Sequence, residues 1–163
     1  AELFLFEAAR AELVEKVIQP ALGSGKVVIA DRYVDSSIAY QGYGRGLPTK
    51  VVTQANKIAT NGLVPDVTFL LDCPPEQGLA RVGAESGDAQ STARSRNDAP
   101  GTRRFEQESV EFHARVRKGY LEIAASEPDR WHVVDGTKPQ EEISSAVWAV
   151  VQARLFEETN TDS

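Results

Sequence analysis

Asp31 and Arg32 stand directly after the apolar run Val27-Val28-Ile29-Ala30, and a stretch of hydroxyl, amide and glycine residues follows them to Leu47. A carboxylate delivered at the end of a strand can organise a magnesium ion through water, and a neighbouring guanidinium can grip a phosphate with its planar fork. Ser36, Ser37, Tyr40 and Gln41 then supply hydroxyls and one amide. Their spacing sets Ser36, Ser37 and Tyr40 on adjoining faces of a short helix, an arrangement able to read a base and a sugar. Gly42, Gly44 and Gly46 surround Arg45 and permit close approach of backbone to a ligand. An Asp-Arg pair at a strand end serves equally well as a structural ion pair, so it is the polar and glycine-rich continuation that points to a phosphate-bearing nucleotide.

Such a site needs elements to hold it. Four apolar residues bounded by Gly25 and ending on an acid suit a buried parallel strand over Val27 to Ala30. A helix from about Ala1 to Leu22, stopped by Gly23, precedes it. Thr49 is expected to cap a helix running to Asn61, with Gly62 ending it. A second strand, Val67 to Leu71, ends on Asp72, and Pro74-Pro75 then favour a turn and a helix start. A short third strand is expected near His132 to Val134, and a last amphipathic helix from about Pro139 to Phe156. On the first helix Leu3, Phe6, Leu13 and Val17 fall at core spacing, while Phe6 and Arg10, four residues apart, share a face that could stack on a base and contact its edge. Between residues 83 and 102 apolar periodicity gives way to Ser, Gly, Ala, Asp and Arg, the composition of a mobile segment.

The composition fits one globular α/β domain: 163 residues, 41% hydrophobic and 26% charged. A net charge of -6 argues against nonspecific nucleic-acid binding and in favour of small anionic ligands met by local arginines. Cys73 is the only cysteine, which excludes an intrachain disulfide, and it reads as a buried structural thiol. His113 and His132 read as a helix-surface and a strand-end residue. No apolar run is long enough to cross a bilayer and no signal segment opens the chain, so the cytoplasm is the expected compartment.

Taken whole, DRYVDSSIAYQGYGRGL with the upstream Phe6 and Arg10 resembles the thymidylate kinase family, and the resemblance runs along nearly the whole chain. It implies a P-loop nucleoside monophosphate kinase fold, a three-layer α/β/α arrangement with a parallel sheet, over residues 1–157, with 158–163 as a flexible tail. It also implies transfer of the γ-phosphoryl group of ATP to dTMP, with magnesium, to give dTDP. In that family Phe6 would stack on thymine, Arg10 and Gln41 would contact the base, Ser36 and Ser37 would line the pocket, and Tyr40 would pack at the sugar. Arg32 would grip the acceptor phosphate, and Asp31, a Walker-B-like acid, would hold the metal through water. The segment at about 83–102 would be a lid whose arginines, Arg94 and Arg96, with Arg103 and Arg104 just beyond, stabilise the transferring phosphoryl group. Phe105 and Glu106 would lie near the monophosphate. The family commonly forms homodimers by helix packing. Here Arg103 stands where the family tends to carry an acid before its post-lid arginine.

The donor site is the larger departure. Gly23-Ser24-Gly25-Lys26 has Pro20 where a P-loop needs glycine and Val27 where it needs Ser or Thr, and it leads into an expected strand rather than a helix. Methionine is absent and the chain opens inside a helix, so the chain is expected to be part of a longer protein whose P-loop and central strand precede Ala1. Without that strand the inner edges of the Val27 and Val67 strands would lack partners, and the chain alone is expected to be unstable, rearranged or completed by another segment. Two other readings remain open: a different nucleotide kinase of the same fold, and a noncatalytic nucleotide-binding or dimerisation remnant.

Overall fold

The computed structural model describes residues 1–85 and 108–154. The amino-terminal helix is continuous but not uniform. Helix α1 (Glu2–Leu13) passes through a π-helical turn, Val14–Ile18, into α2 (Gln19–Gly23), which carries Pro20 in its first turn. Proline has no N–H to offer the preceding turn, and the wider register falls immediately before it. The buried stripe of this helix is Leu3, Glu7, Val14 and Ile18, whereas Phe6, Leu13 and Val17 are 38%, 44% and 54% exposed. That corrects the expected core of Leu3, Phe6, Leu13 and Val17: of these, only Leu3 faces inward.

Val27 to Ala30 forms no strand. A strand is held by its ladder, and among the described residues this run has no partner; Val27 is 68% and Ile29 93% exposed. Helix α3 (Val34–Ser37) follows and runs into a second π-helical stretch, Ile38–Gly44. Helix α4 (Thr49–Thr60) has Pro48 at its N-cap, so Thr49 is the first helical residue and not the cap. Its other end is the expected one: Asn61 (φ 52°) and Gly62 (φ 78°) take left-handed backbone, and the Gly62 N–H returns to the Lys57 carbonyl at 2.9 Å.

The sheet of the described residues has two parallel strands, β1 (Thr68–Asp72) and β2 (Trp131–Asp135), in register from Thr68 opposite Trp131 to Asp72 opposite Asp135. Helix α5 (Pro75–Glu85) opens on a proline as expected and takes in residues 83–85, the start of the anticipated lid; the rest of that segment lies outside the described residues. The long helix α6 (Val110–Ser126) gives bounds to the helix expected only around His113, and α7 (Gln140–Gln152) closes the fold. The Ser109 side chain caps α6 by accepting from the Phe112 N–H at 3.3 Å. Its buried face, Phe112, Val116, Gly119 and Ile123, repeats at helical spacing.

The core lies where α6 crosses the Ile38–Gly44 stretch and the sheet: Ala39, Phe112, Val116, Ile123, Ala124 and Trp131 are buried, with Ile38, Tyr40, Leu70 and Tyr120 packed against them. Two glycines allow this approach. A Cβ on Gly44 would meet the Phe112 ring at 2.7 Å, and one on Gly119 would meet the Tyr43 ring at 2.6 Å. Cys73 is half-buried rather than buried. His113 is half-buried with Nε2 enclosed, so it is not a surface residue of its helix.

Candidate functional site

Three elements converge on Arg10. Its Nη1 donates to Glu7 Oε1 at 2.6 Å and to Asn56 Oδ1 at 2.8 Å, and its Nη2 donates to Ser37 Oγ at 2.9 Å and to the Tyr33 carbonyl at 3.3 Å. Glu7 and Arg10 lie one turn apart on α1, Asn56 comes from α4 and Ser37 from α3. The Asn56 amide is itself oriented, because its Nδ2 donates to the Val34 carbonyl at 2.9 Å. Phe6, one turn from Arg10, stays 38% exposed and can offer a ring face.

The chain turns sharply between the extended run and α3. Arg32 takes a left-handed backbone, φ 66°, which for a residue with a Cβ costs about 1–2 kcal/mol. The turn brings its guanidinium over the Tyr40 ring, 5.1 Å from the centroid, while Asp31 beside it is exposed. Among the described residues Arg32 makes no ion pair, so its charge is available to an anion. Strain of this kind concentrates at ligand sites.

The remaining polar residues are tied to the frame. Ser36 Oγ and Tyr120 OH share a hydrogen bond of 2.7 Å, and Tyr120 meets Tyr40 edge-on with centroids 6.3 Å apart. Burial pushes the Tyr120 hydroxyl up to about 12, with the Ser36 hydrogen bond acting the other way. Gln41 is buried and its Nε2 donates to Glu2 Oε1 at 2.9 Å. Arg45 reaches Glu108 at 2.7 Å and lies over Phe112 at 4.8 Å, and the Glu108 bond raises its pKa. Arg115 donates to the Gly44 carbonyl at 3.1 Å.

Two buttresses hold this arrangement from behind. Arg130, at the foot of β2, forms a two-pronged pair with Asp35 at 2.8 and 2.9 Å and also donates to Thr68 Oγ1 at 2.9 Å. The Asp35 carboxylate raises the Arg130 pKa. At the other end of the strands Arg117 makes a similar fork onto Asp72 at 2.7 and 2.8 Å, which lowers the Asp72 pKa. Asp72 is thus a structural strand-end acid.

The family model for thymidylate kinase matches residues 1–147. The chain belongs to the thymidylate kinase family. It is 50% identical over 155 residues to a thymidylate kinase of Solidesulfovibrio magneticus, covering 93% of this chain and 69% of that protein. It is 47% identical over 158 residues to one from Geotalea uraniireducens, covering 96% of this chain and 70% of the relative. Among solved structures, the thymidylate kinase of Ehrlichia chaffeensis superposes with a TM-score of 0.66 at 32% identity. That match covers 93% of this chain and 63% of the other, so the chain spans under two thirds of the solved enzyme. The fold is therefore the α/β fold of the thymidylate kinases.

Within this family member the structure joins Arg10 to Ser37 and Arg32 to Tyr40, and sets Ser36 on Tyr120. It does not join Gln41 to Arg10. Arg94, Arg96, Arg103 and Phe105 lie outside the described residues. Sequence reasoning overlooked Glu7, Asn56, Asp35, Tyr120 and Arg130. Glu7 at i to Arg10 at i+3 was the one pairing that spacing alone could have shown; the others join positions 22 to 95 residues apart. Among the described residues no three His, Cys, Asp or Glu side chains cluster as a metal site, and no helix is long and apolar enough to cross a membrane.

Proposed function

We propose that this chain carries the dTMP-binding part of a thymidylate kinase that transfers the γ-phosphoryl group of ATP to dTMP, giving dTDP for dTTP synthesis in the cytoplasm. The observation that supports it is the contrast between two arginines: Arg10 bound to Glu7 and Ser37, and Arg32 on the face of Tyr40 with no ion pair among the described residues. Arg10 would meet the uncharged base edge with Phe6 stacking beside it, and Gln41 would border the base. Tyr40 and Ser36 would line the sugar. Arg32 would hold the acceptor phosphate, which is already anionic and needs no strong general base.

Asp31 suits a magnesium ion held through water, since that ion keeps several waters and needs only one or two carboxylates beside the phosphates. When bound, magnesium would neutralise charge on the donor phosphates. No stretch of the 163 residues has the P-loop pattern, so the donor loop would come from residues outside them. Arg94, Arg96 and Arg103 would add charge on lid closure, with Phe105 near the monophosphate. A homodimer fits Phe4 and Leu5, both 72% exposed on the outer face of α1.

A complete reading frame without a P-loop would favour a second reading, a noncatalytic nucleotide-binding or dimerisation remnant. Coupled detection of ADP formed from ATP, magnesium and dTMP separates the two, run on this chain and on the protein of the complete reading frame. Activity in the longer protein, with dTMP preferred over dCMP, dGMP and thymidine, is the expected result. A folded full-length protein that forms no ADP above background overturns the kinase reading.

A further inference from the structure

We infer that Glu7 and Asn56 are positioning residues for base recognition, holding Arg10 so that the base end of the pocket is electrically neutral and the phosphate end is not. The inference rests on the dTMP reading above. Its ground is donor bookkeeping. The two Nη atoms of Arg10 carry four hydrogens, and four acceptors receive them: Glu7, Asn56, Ser37 and the Tyr33 carbonyl. Such a guanidinium has no rotational choice. The Glu7 and Arg10 side chains are 8% and 10% exposed, so their pairing operates where water screens it weakly.

Asn56 cannot turn its amide over, because Nδ2 is committed to the Val34 carbonyl; Oδ1 must therefore face Arg10. Through this one side chain, 4% exposed, α4 sets the register of α1 against the start of α3, where Arg32 makes its turn. Glu7 Oε2 has no partner among the described residues, so the hydrogen bonding of the carboxylate is directed through Oε1 to Arg10. An arginine neutralised in this way does not attract a phosphate. It can still donate to a base carbonyl by releasing the longest of its bonds, that to the Tyr33 carbonyl at 3.3 Å. Arg32 has no carboxylate partner among the described residues, so its charge is not offset there. The nucleotide would consequently enter in one orientation.

A donor fixed at the base edge separates a carbonyl from an amino group, so the ratio of kcat/KM for dTMP over dCMP in the full-length enzyme is the quantity to follow. Asn56→Ala and Glu7→Ala are expected to lower that ratio about tenfold, with the KM for ATP moving less than about twofold. Glu7→Gln, which keeps the volume and one acceptor, is expected to retain the ratio to within about threefold. Should an alanine variant fail to fold, Glu7→Met removes the acceptor while keeping the buried bulk and carries the same test. A ratio unchanged in these variants, or an equal loss on dTMP and dCMP, overturns the positioning role. A wild-type enzyme with no preference for dTMP defeats the dTMP reading itself, which distinguishes that failure from this one.

Discussion

Replacing Asp35 by alanine should destabilise the protein by about 3 kcal/mol, and the estimate follows from what the change leaves behind. Asp35 and Arg130 are 8% and 12% exposed and joined by two bonds of 2.8 and 2.9 Å. Removing one partner of a buried pair typically costs about 3–5 kcal/mol, because the other charge stays buried. Here Arg130 would keep Thr68 and the half-exposed Glu127, which puts the cost at the lower end, about 3 kcal/mol. For a chain of this size that corresponds to a Tm lower by roughly 6–12 °C. Thermal and urea melts of wild type and Asp35→Ala would measure it. The double variant Asp35→Leu with Arg130→Met should recover most of the loss, since an apolar replacement avoids the desolvation that the ion pair must offset. A Tm change below about 2 °C for Asp35→Ala would refute the view that this pair clamps α3 to the feet of β1 and β2.

Gly119→Ala is expected to cost about 1–3 kcal/mol, although alanine is the better helix former, because the new Cβ would meet the Tyr43 ring at 2.6 Å; chemical denaturation measures the loss, and a gain in stability would show that the ring moves freely. Tyr120 gives an alkaline signature. Its folded pKa of about 12 lies above the ordinary value near 10, so its contribution is complete below about pH 10 and is lost as pH rises toward 12. Tyr120→Phe should flatten the fall in stability over that window by about 2–3 kcal/mol, read from urea melts at several pH values; an unaltered slope would mean that the hydroxyl is not held neutral by burial.

Much of the architecture was legible because it is written locally. A helix start at Pro75, a helix end at Asn61 and Gly62, an apolar run ending on Asp72 and a short strand near His132 to Val134 depend on backbone preference and side-chain period. Thr49 misled because Pro48 holds the cap position while Thr49 is already helical. Helix α6 was expected only as a helix around His113 and without bounds, because Arg115, Arg117 and Lys118 dilute its apolar residues, although Ser109 and the spacing of Phe112, Val116 and Ile123 contain the signal. Val27 to Ala30 reads as a strand by composition, but a strand exists only in a ladder, and the described residues supply no partner for it.

What the sequence determined by itself is which groups are candidates for the site: an acid and an arginine after an apolar run, hydroxyls at helical spacing, and an aromatic ring one turn from a second arginine. These are properties of neighbours along the chain, fixed by bond geometry and helical pitch. The tertiary structure decided how firmly each arginine is held. Arg10 and Arg32 look alike as residues, yet Glu7, Asn56 and Ser37 surround the first, and an aromatic face underlies the second. Glu7 lies one turn away on the same helix, but the burial of the pair and the contacts to Ser37 and Asn56, across 27 and 46 residues of chain, come only with folding. The sign and strength of an electrostatic site depend on which distant groups folding brings within hydrogen-bonding reach, and on how much water it removes from between them.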